Sequence, residues 1–300
     1  MERVERCFLC AGTNFTPLAV RGRHFSGETV NLCGDCGLVF LSPRLGERDL
    51  SEFYAAEYSR LFRGNEYPTP EIIQERLPAA KARVKFLERE IRDATWRVLE
   101  IGCSCGLFLD LLRKRGFQSL AGLDPSRGFT EYARKELHLD VATGSFPDAL
   151  TRPGPFDLIC FFHTFEHVSD PNQFLINVRD ILAPSGLVYV EVPDISVKLA
   201  QRYFFQSYFE KGHLFDYSRA TLSLMFEKHG FTELRHEYET APKKKHHLRA
   251  LFRRDESAIA PDFQKGGASV IRAEIMRKLR HGLARRIMRR LLLAAGKWEE

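Results

Sequence analysis

Several things this chain lacks narrow the reading at once. No uninterrupted apolar run approaches the roughly 20 residues needed to span a bilayer. The opening MERVERCFLC carries charge where the apolar core of a secretory leader would lie, so a cytoplasmic protein is expected. There is no internal repeat and no low-complexity tract, which excludes solenoids and disordered scaffolds. Tryptophan and methionine are scarce, at two and four in 300 residues. An even excess of positive charge is missing too. The formal net charge is +6, yet residues 241–300 hold 16 Lys/Arg against 6 Asp/Glu, leaving residues 1–240 mildly acidic. That acidic body argues against a nucleic-acid partner, although the tail alone would suit one.

What is present begins with cysteine. Four of the seven fall in two tight pairs, Cys7/Cys10 and Cys33/Cys36, with 22 residues between the pairs. In a reducing compartment such pairing points to metal rather than disulfides. A tetrahedral zinc ion takes two thiolates from each CxxC turn and has no open position left, so the pattern predicts a structural site in a module over residues 1–45. A redox CxxC would need only one pair and a helix opening behind it. Cys103, Cys105 and Cys160 fall at strand ends and a glycine turn, where small buried inert thiols are expected.

Residues 46–95 read as helical, with Leu50, Phe53 and Tyr54 and later Val84, Phe86, Leu87 and Ile91 at helical spacing. Pro68, Pro70 and Pro78 each mark a helix start or kink. From Trp96 to about residue 255 strands alternate with helices, the grammar of a parallel α/β sheet. Strands are predicted at 97–101, 119–123, 139–143, 156–162 and 187–192, with two late strands at 231–238 and 247–254. Helices are predicted at 107–115, 126–137, 171–182 and 220–229, the last closed by Gly230. Residues 256–300 form a basic tail, in which 271–296 reads as an amphipathic helix with Ile275, Leu279, Leu283, Ile287 and Leu291 on one stripe. Such a helix packs on its own domain or lies against an anionic membrane surface, a peripheral contact.

The chemistry concentrates at Val98-Leu-Glu-Ile-Gly-Cys-Ser-Cys-Gly106, an apolar strand that ends in an acid and passes through glycines into a helix. Missing side chains let a ligand approach the backbone, and the helix N-terminus offers unpaired N–H groups. The pattern differs from GxGxxG, and Glu100 precedes the glycines, where a carboxylate would repel a pyrophosphate and suit a cation. Asp124 ends the next strand, where an acid can accept both hydroxyls of a ribose or simply cap a helix.

Together with LAGLDPS, PFDLICFFHTFEHVSDP, LAPSGLVYVEVPD and HLFDYSRATLSLMFEKHGF, this segment resembles the class I S-adenosylmethionine (SAM)-dependent methyltransferases over roughly residues 80–255. The resemblance implies a Rossmann-like, seven-stranded, mostly parallel sheet, here carrying a zinc-ribbon-like module in front and a basic helix behind. It implies SAM as cofactor, with Gly102, Ser104 and Gly106 lining the turn. Glu100 would face the methionine amino group, Asp124 the ribose, and Gly144, Ser145 and Phe146 the adenine. Ser104 stands where the family commonly has glycine. The front of the chain, CxxC through LCGDCGLVFLSPRL to FYAAEYSR, resembles deoxysugar C-methyltransferases and related polysaccharide and natural-product enzymes. Those enzymes usually carry a large further C-terminal domain, whereas about 45 residues follow the last strand here.

Methyl transfer needs an aligned acceptor and, for a hydroxyl or carbon acid, a base. His163, Glu166 and His167 in one loop and Tyr208, Glu210 and His213 in another are the candidates, with histidine the natural proton shuttle. Glu166 and His167 could alternatively share a metal. The expected acceptor is a small molecule, a nucleotide- or carrier-linked sugar in the first place. An RNA methyltransferase gripping phosphate with its zinc module, and a non-catalytic SAM-fold scaffold, are the competing readings.

Overall fold

A computed structural model describes residues 1–18, 28–46, 66–91, 93–145, 154–195, 212–240, 246–257 and 261–263, with a few isolated positions between them. Phe146, Tyr208, Glu210 and the basic helix at 271–296 lie outside these residues, apart from isolated positions in that helix. Among the described residues no helix is long and apolar enough to cross a membrane.

The front of the chain forms three short antiparallel strands, β1 (Phe15–Leu18), β2 (Val30–Cys33) and β3 (Val39–Leu41). Helix α1 (Pro70–Leu87) follows, with the Thr69 hydroxyl accepting from the Ile72 N–H and Pro70 in the first turn, where a missing N–H is harmless. Pro78 lies inside this helix and starts nothing. Burial of Ala80, Val84, Phe86 and Leu87 on one face outweighs the helical hydrogen bond that the proline removes.

Strands β4 (Val98–Ile101), β5 (Leu120–Asp124), β6 (Asp140–Thr143), β7 (Phe156–Phe162) and β8 (Leu182–Pro193) then alternate with α2 (Leu107–Arg113), α3 (Arg127–Lys135) and α4 (Pro171–Ile181). Strand β9 (Phe215–Asp216), helix α5 (Arg219–Glu227) and strands β10 (Phe231–Thr240) and β11 (His246–Arg254) complete the order. The sheet order is β10-β11-β8-β7-β4-β5-β6, parallel throughout β6 to β8 and antiparallel on both sides of β11. This is the expected seven-stranded, mostly parallel sheet. Its central strands are buried on both faces, and their near-continuous apolar runs reflect that.

Two cores result. One joins α1, α2 and α3 to the Val98, Leu158, Cys160 and Tyr189 face of the sheet. The other joins α4 and α5 to Leu99, Ile159, Phe161 and Val190, and continues without a break into Leu9, Leu38 and Phe40 of the front module. The reason is β9. Its two residues pair with β3, Phe40 opposite Phe215 and Val39 opposite Asp216, so a four-stranded sheet takes its last strand from far down the chain. Arg44 reinforces the joint, donating to the Ser169 carbonyl at 2.7 Å and lying over the Phe8 and Phe215 rings.

Candidate active site

At the carboxyl end of β4 the chain turns through Gly102 and Ser104 into α2, which starts after Gly106. Both glycines have left-handed backbone, φ +76° and +77°. A Cβ on Gly102 would also lie 2.3 Å from the Thr164 hydroxyl, so this turn is closed to side chains on two counts. Ser104 adopts φ +53°, the conformation a glycine would take there. Its N–H donates to Asp124 Oδ2 at 2.8 Å, and Arg76 of α1 donates to its hydroxyl at 2.6 Å. The serine therefore keeps the turn in place and adds a hold on α1.

Two carboxylates flank the turn. Glu100 is 3% exposed, and its Oε2 has no hydrogen-bond partner among the described residues. Burial pushes this carboxyl up to about 8; Arg83 pulls the other way and Asp124 adds to the rise. A buried acid with an orphaned oxygen beside a glycine turn is suited to a cationic ligand group. Asp124 is buried as well, accepting from the Ser104 N–H with Oδ2 and from the Ser126 N–H with Oδ1. A carboxylate has four lone-pair sites, and these two bonds clamp the tip of β5 onto the turn. Gly144 N–H donates to the Asp124 carbonyl, which brings Ser145 to the same edge, its own N–H held by Asp148 at 2.7 Å.

The loop after β7 lies on the same sheet edge. His163 sits in left-handed backbone, φ +50°, a conformation found more often at sites than elsewhere. Its Nδ1 lies 3.3 Å from Glu166 Oε1 and its Nε2 3.0 Å from Glu191 Oε1. Burial opposes charge on this ring, but the two carboxylates outweigh it and lift the histidine to about 9. His163 thus carries its proton near neutrality, which fits an orienting cation better than a base. Glu191 is the hub, 1% exposed, taking Arg83 at 2.5 Å on one oxygen and Arg249 at 2.6 Å on the other. Despite burial, Arg83 and His163 hold it far below the usual carboxylate range. His247 packs edge-on to His163 at 4.5 Å and is pushed down to about 4 by burial and then by His163.

The second half of the loop brings His167 and His213 together, ring centroids 4.7 Å apart and nearly perpendicular. His167 Nδ1 donates to the Gly212 carbonyl at 2.7 Å, which fixes the tautomer, since a carbonyl can only accept. Glu166 lies between the loops, its Oε2 buried and without a hydrogen-bond partner among the described residues. Burial alone would raise this carboxyl, yet His163 and His167 bring it below its usual value. Ligand atoms of Glu166, His167 and His213 fall within 4.8 Å of one another, a second set of donors that could hold a metal. His163, Glu166 and His167 of one predicted loop and His213 of the other thus form one group. Arg83, Glu191, Arg249 and His247 escaped that reading. Their one signal is an acid within the apolar run LVYVEVP of β8.

The four N-terminal cysteines also converge. Cys7 Sγ lies 3.5 Å from Cys36 Sγ, and Cys10 Sγ lies 3.6 Å from Cys33 Sγ. Tetrahedral zinc with bonds of about 2.3 Å places its sulfurs about 3.8 Å apart, so the donor set and spacing fit that ion. The surrounding cysteine sulfurs, and burial after them, push the Cys7 and Cys36 thiols up, while neighbouring cysteine sulfurs draw Cys33 down. Cys103, Cys105 and Cys160 are buried, and burial raises all three. Inert thiols are what the sequence predicted.

A family model described as a methyltransferase domain matches residues 47–236. In sequence the chain is 31% identical over 137 residues to the C-methyltransferase NovU of Streptomyces niveus, covering 44% of this chain and 32% of that one. It is 31% identical over 108 residues to a ubiquinone biosynthesis O-methyltransferase of Caulobacter sp. (strain K31), covering 34% of this chain and 42% of the relative. The matches thus span less than half of either relative's length. In structure it resembles 1,6-didemethyltoxoflavin-N1-methyltransferase of Burkholderia thailandensis, with TM-score 0.56 and 11% identity over 79% of this chain and the whole of that one. It also resembles magnesium protoporphyrin IX methyltransferase of Synechocystis PCC 6803 with bound SAH, with TM-score 0.53 and 10% identity over 70% of this chain and all of the other. At such identities these likenesses establish the fold.

Proposed function

We propose that this chain, which belongs to the methyltransferase-domain family, acts as a class I SAM-dependent methyltransferase on a small polar acceptor, a nucleotide- or carrier-linked sugar above all. One observation carries this reading. The glycine turn with its two carboxylates and the loop with its paired histidines share one sheet edge, a hydrogen bond apart through Thr164, whose hydroxyl donates to the Ile101 carbonyl. NovU, a C-methyltransferase by name, and the small-molecule enzymes among the relatives point the same way.

When bound, SAM supplies an electrophilic methyl carbon on a sulfonium. In this reading Glu100 pairs with the amino group of the methionine portion. Asp124 is assigned to the ribose, and Ser145 and Phe146 are assigned to the adenine. The chain's own residues would hold the acceptor's oxygen or carbon in line with that methyl group, whose bond to sulfur would give way as the new bond forms. The acceptor's proton passes to Nε2 of His167, the proton-accepting nitrogen of its tautomer, with His213 packed against that ring and Tyr208 a further candidate. Glu166, kept ionised by His163, stabilises the imidazolium that results. Cys7, Cys10, Cys33 and Cys36 would hold structural zinc.

The test is a panel of nucleotide sugars and carrier-linked glycans incubated with methyl-labelled SAM and read by mass spectrometry. Transfer to a sugar, lost by about a hundredfold or more in His167→Asn, supports the proposal. SAM binding without transfer to any member of the panel would overturn the sugar assignment, and no SAM binding at all would leave a scaffold.

A further inference from the structure

We infer that the cysteine module is a positioning device for His213, acting through the short strap of residues 212–217. The inference rests on the role proposed above for the paired histidines, and concerns what holds them in place.

The strap is gripped from two sides. On the inner side Leu214 N–H donates to the Glu166 carbonyl at 2.8 Å, and the Gly212 carbonyl takes the His167 Nδ1 proton at 2.7 Å. On the outer side it belongs to the module. Leu41 N–H donates to the Leu214 carbonyl at 3.0 Å, and β3 pairs with β9 immediately afterwards. Phe8, between the first two cysteines, meets Phe215 edge-on at 5.3 Å. Phe215 in turn packs on Tyr217, which stacks on Phe165 of the histidine loop at 5.1 Å. Two cations brace the joint: Arg44 on the Ser169 carbonyl and Lys228, which donates to the Phe8 carbonyl at 2.8 Å.

The module's own strands carry three or four residues each, so β3 is held by its share of the body's core together with the metal. The ion that closes the two CxxC turns therefore also fixes the outer wall of the strap. Without it β3 is loosened, the Leu41–Leu214 bond opens, and Gly212 no longer locks the His167 tautomer. Phe8, Leu41, Arg44 and Phe215 are positioning residues. They act through the strap, and none of them belongs to the catalytic set.

The experiment uses the full chain, zinc-loaded, stripped by chelation and reloaded, with 15N-histidine labelling and amide hydrogen exchange. Zinc removal is expected to speed exchange at Leu214 by about tenfold or more, reversibly. It should also turn the His167 ring spectrum from one Nδ1–H tautomer into a mixture, while SAH affinity changes by less than about threefold. Faster exchange confined to residues 30–41, with Leu214 and the His167 spectrum unchanged, overturns the inference. Should stripping also expose β4, Phe8→Ala decides, since it keeps all four cysteines. Retained zinc with faster Leu214 exchange supports the coupling, and retained zinc with unchanged exchange overturns it. These readouts need no acceptor, so they stand apart from any failure of the sugar assignment.

Discussion

Replacing Glu100 by glutamine tests the cofactor site with a countable readout. The buried carboxyl is held at about 8, so at pH 7 about nine molecules in ten carry its proton before any ligand arrives. An ammonium group seated against Glu100 requires the carboxylate, and that proton must leave. Ionising it at pH 7 costs about 1.4 kcal/mol, one unit of pKa, which the ion pair has to exceed. Calorimetric titration with SAH in buffers of different ionisation heat counts the released protons. The wild-type chain should release about 0.9 proton more than Glu100→Gln at pH 7, and the variant should bind more weakly by about 1–3 kcal/mol. Stability gives a second reading. Burial has raised the folded value above the unfolded 4.5, so the stabilising proton is fully in place below 4.5 and is stripped as pH climbs through about 8. The wild type should lose up to roughly 5 kcal/mol over that window that the glutamine variant retains. Equal proton counts for the two proteins would refute the assignment of Glu100 to the amino group.

Three further outcomes are expected. Asp124→Asn should weaken SAH binding by about 1–3 kcal/mol, through the ribose and the loosened Ser104 and Ser126 N–H bonds, and an unchanged dissociation constant removes the ribose assignment. Gly102→Ala, with φ +76° and its Cβ against Thr164, should cost at least about 1 kcal/mol of stability and abolish detectable SAH binding. Cys33→Ser should release the metal, measured as zinc per chain by mass spectrometry, and stoichiometric zinc in that protein would contradict the four-thiolate site.

Most of the sheet was legible because its strands are buried on both faces and bracketed by caps. The stretch Phe156–Phe162 matches its predicted limits, and α4 begins at Pro171 as predicted. Two residues give no period, so β9 left no trace in the sequence, and with it went the joint between module and body. Strand β8 begins five residues before its predicted start, since Ala183-Pro-Ser-Gly186 reads as a turn. Pro78 starts no helix because the buried face that carries α1 past it depends on α2, which only the folded chain supplies. At the site, residue types named the histidines and the cofactor turn. Glu191 stayed hidden because its meaning lies in Arg83 and Arg249, 108 and 58 residues away. A lone acid in an apolar strand shows its purpose only through such partners.

The pairing of β3 with β9 also sets an order of events during synthesis. The first strands leave the ribosome long before their fourth, and Phe8 waits for Lys228, 220 residues behind it. The nascent front end, its four cysteines already made, therefore spends much of translation with an open strand edge, a span in which early metal capture would steady it. Trimming those first residues to obtain a minimal catalytic fragment would strip a wall from the methyltransferase itself.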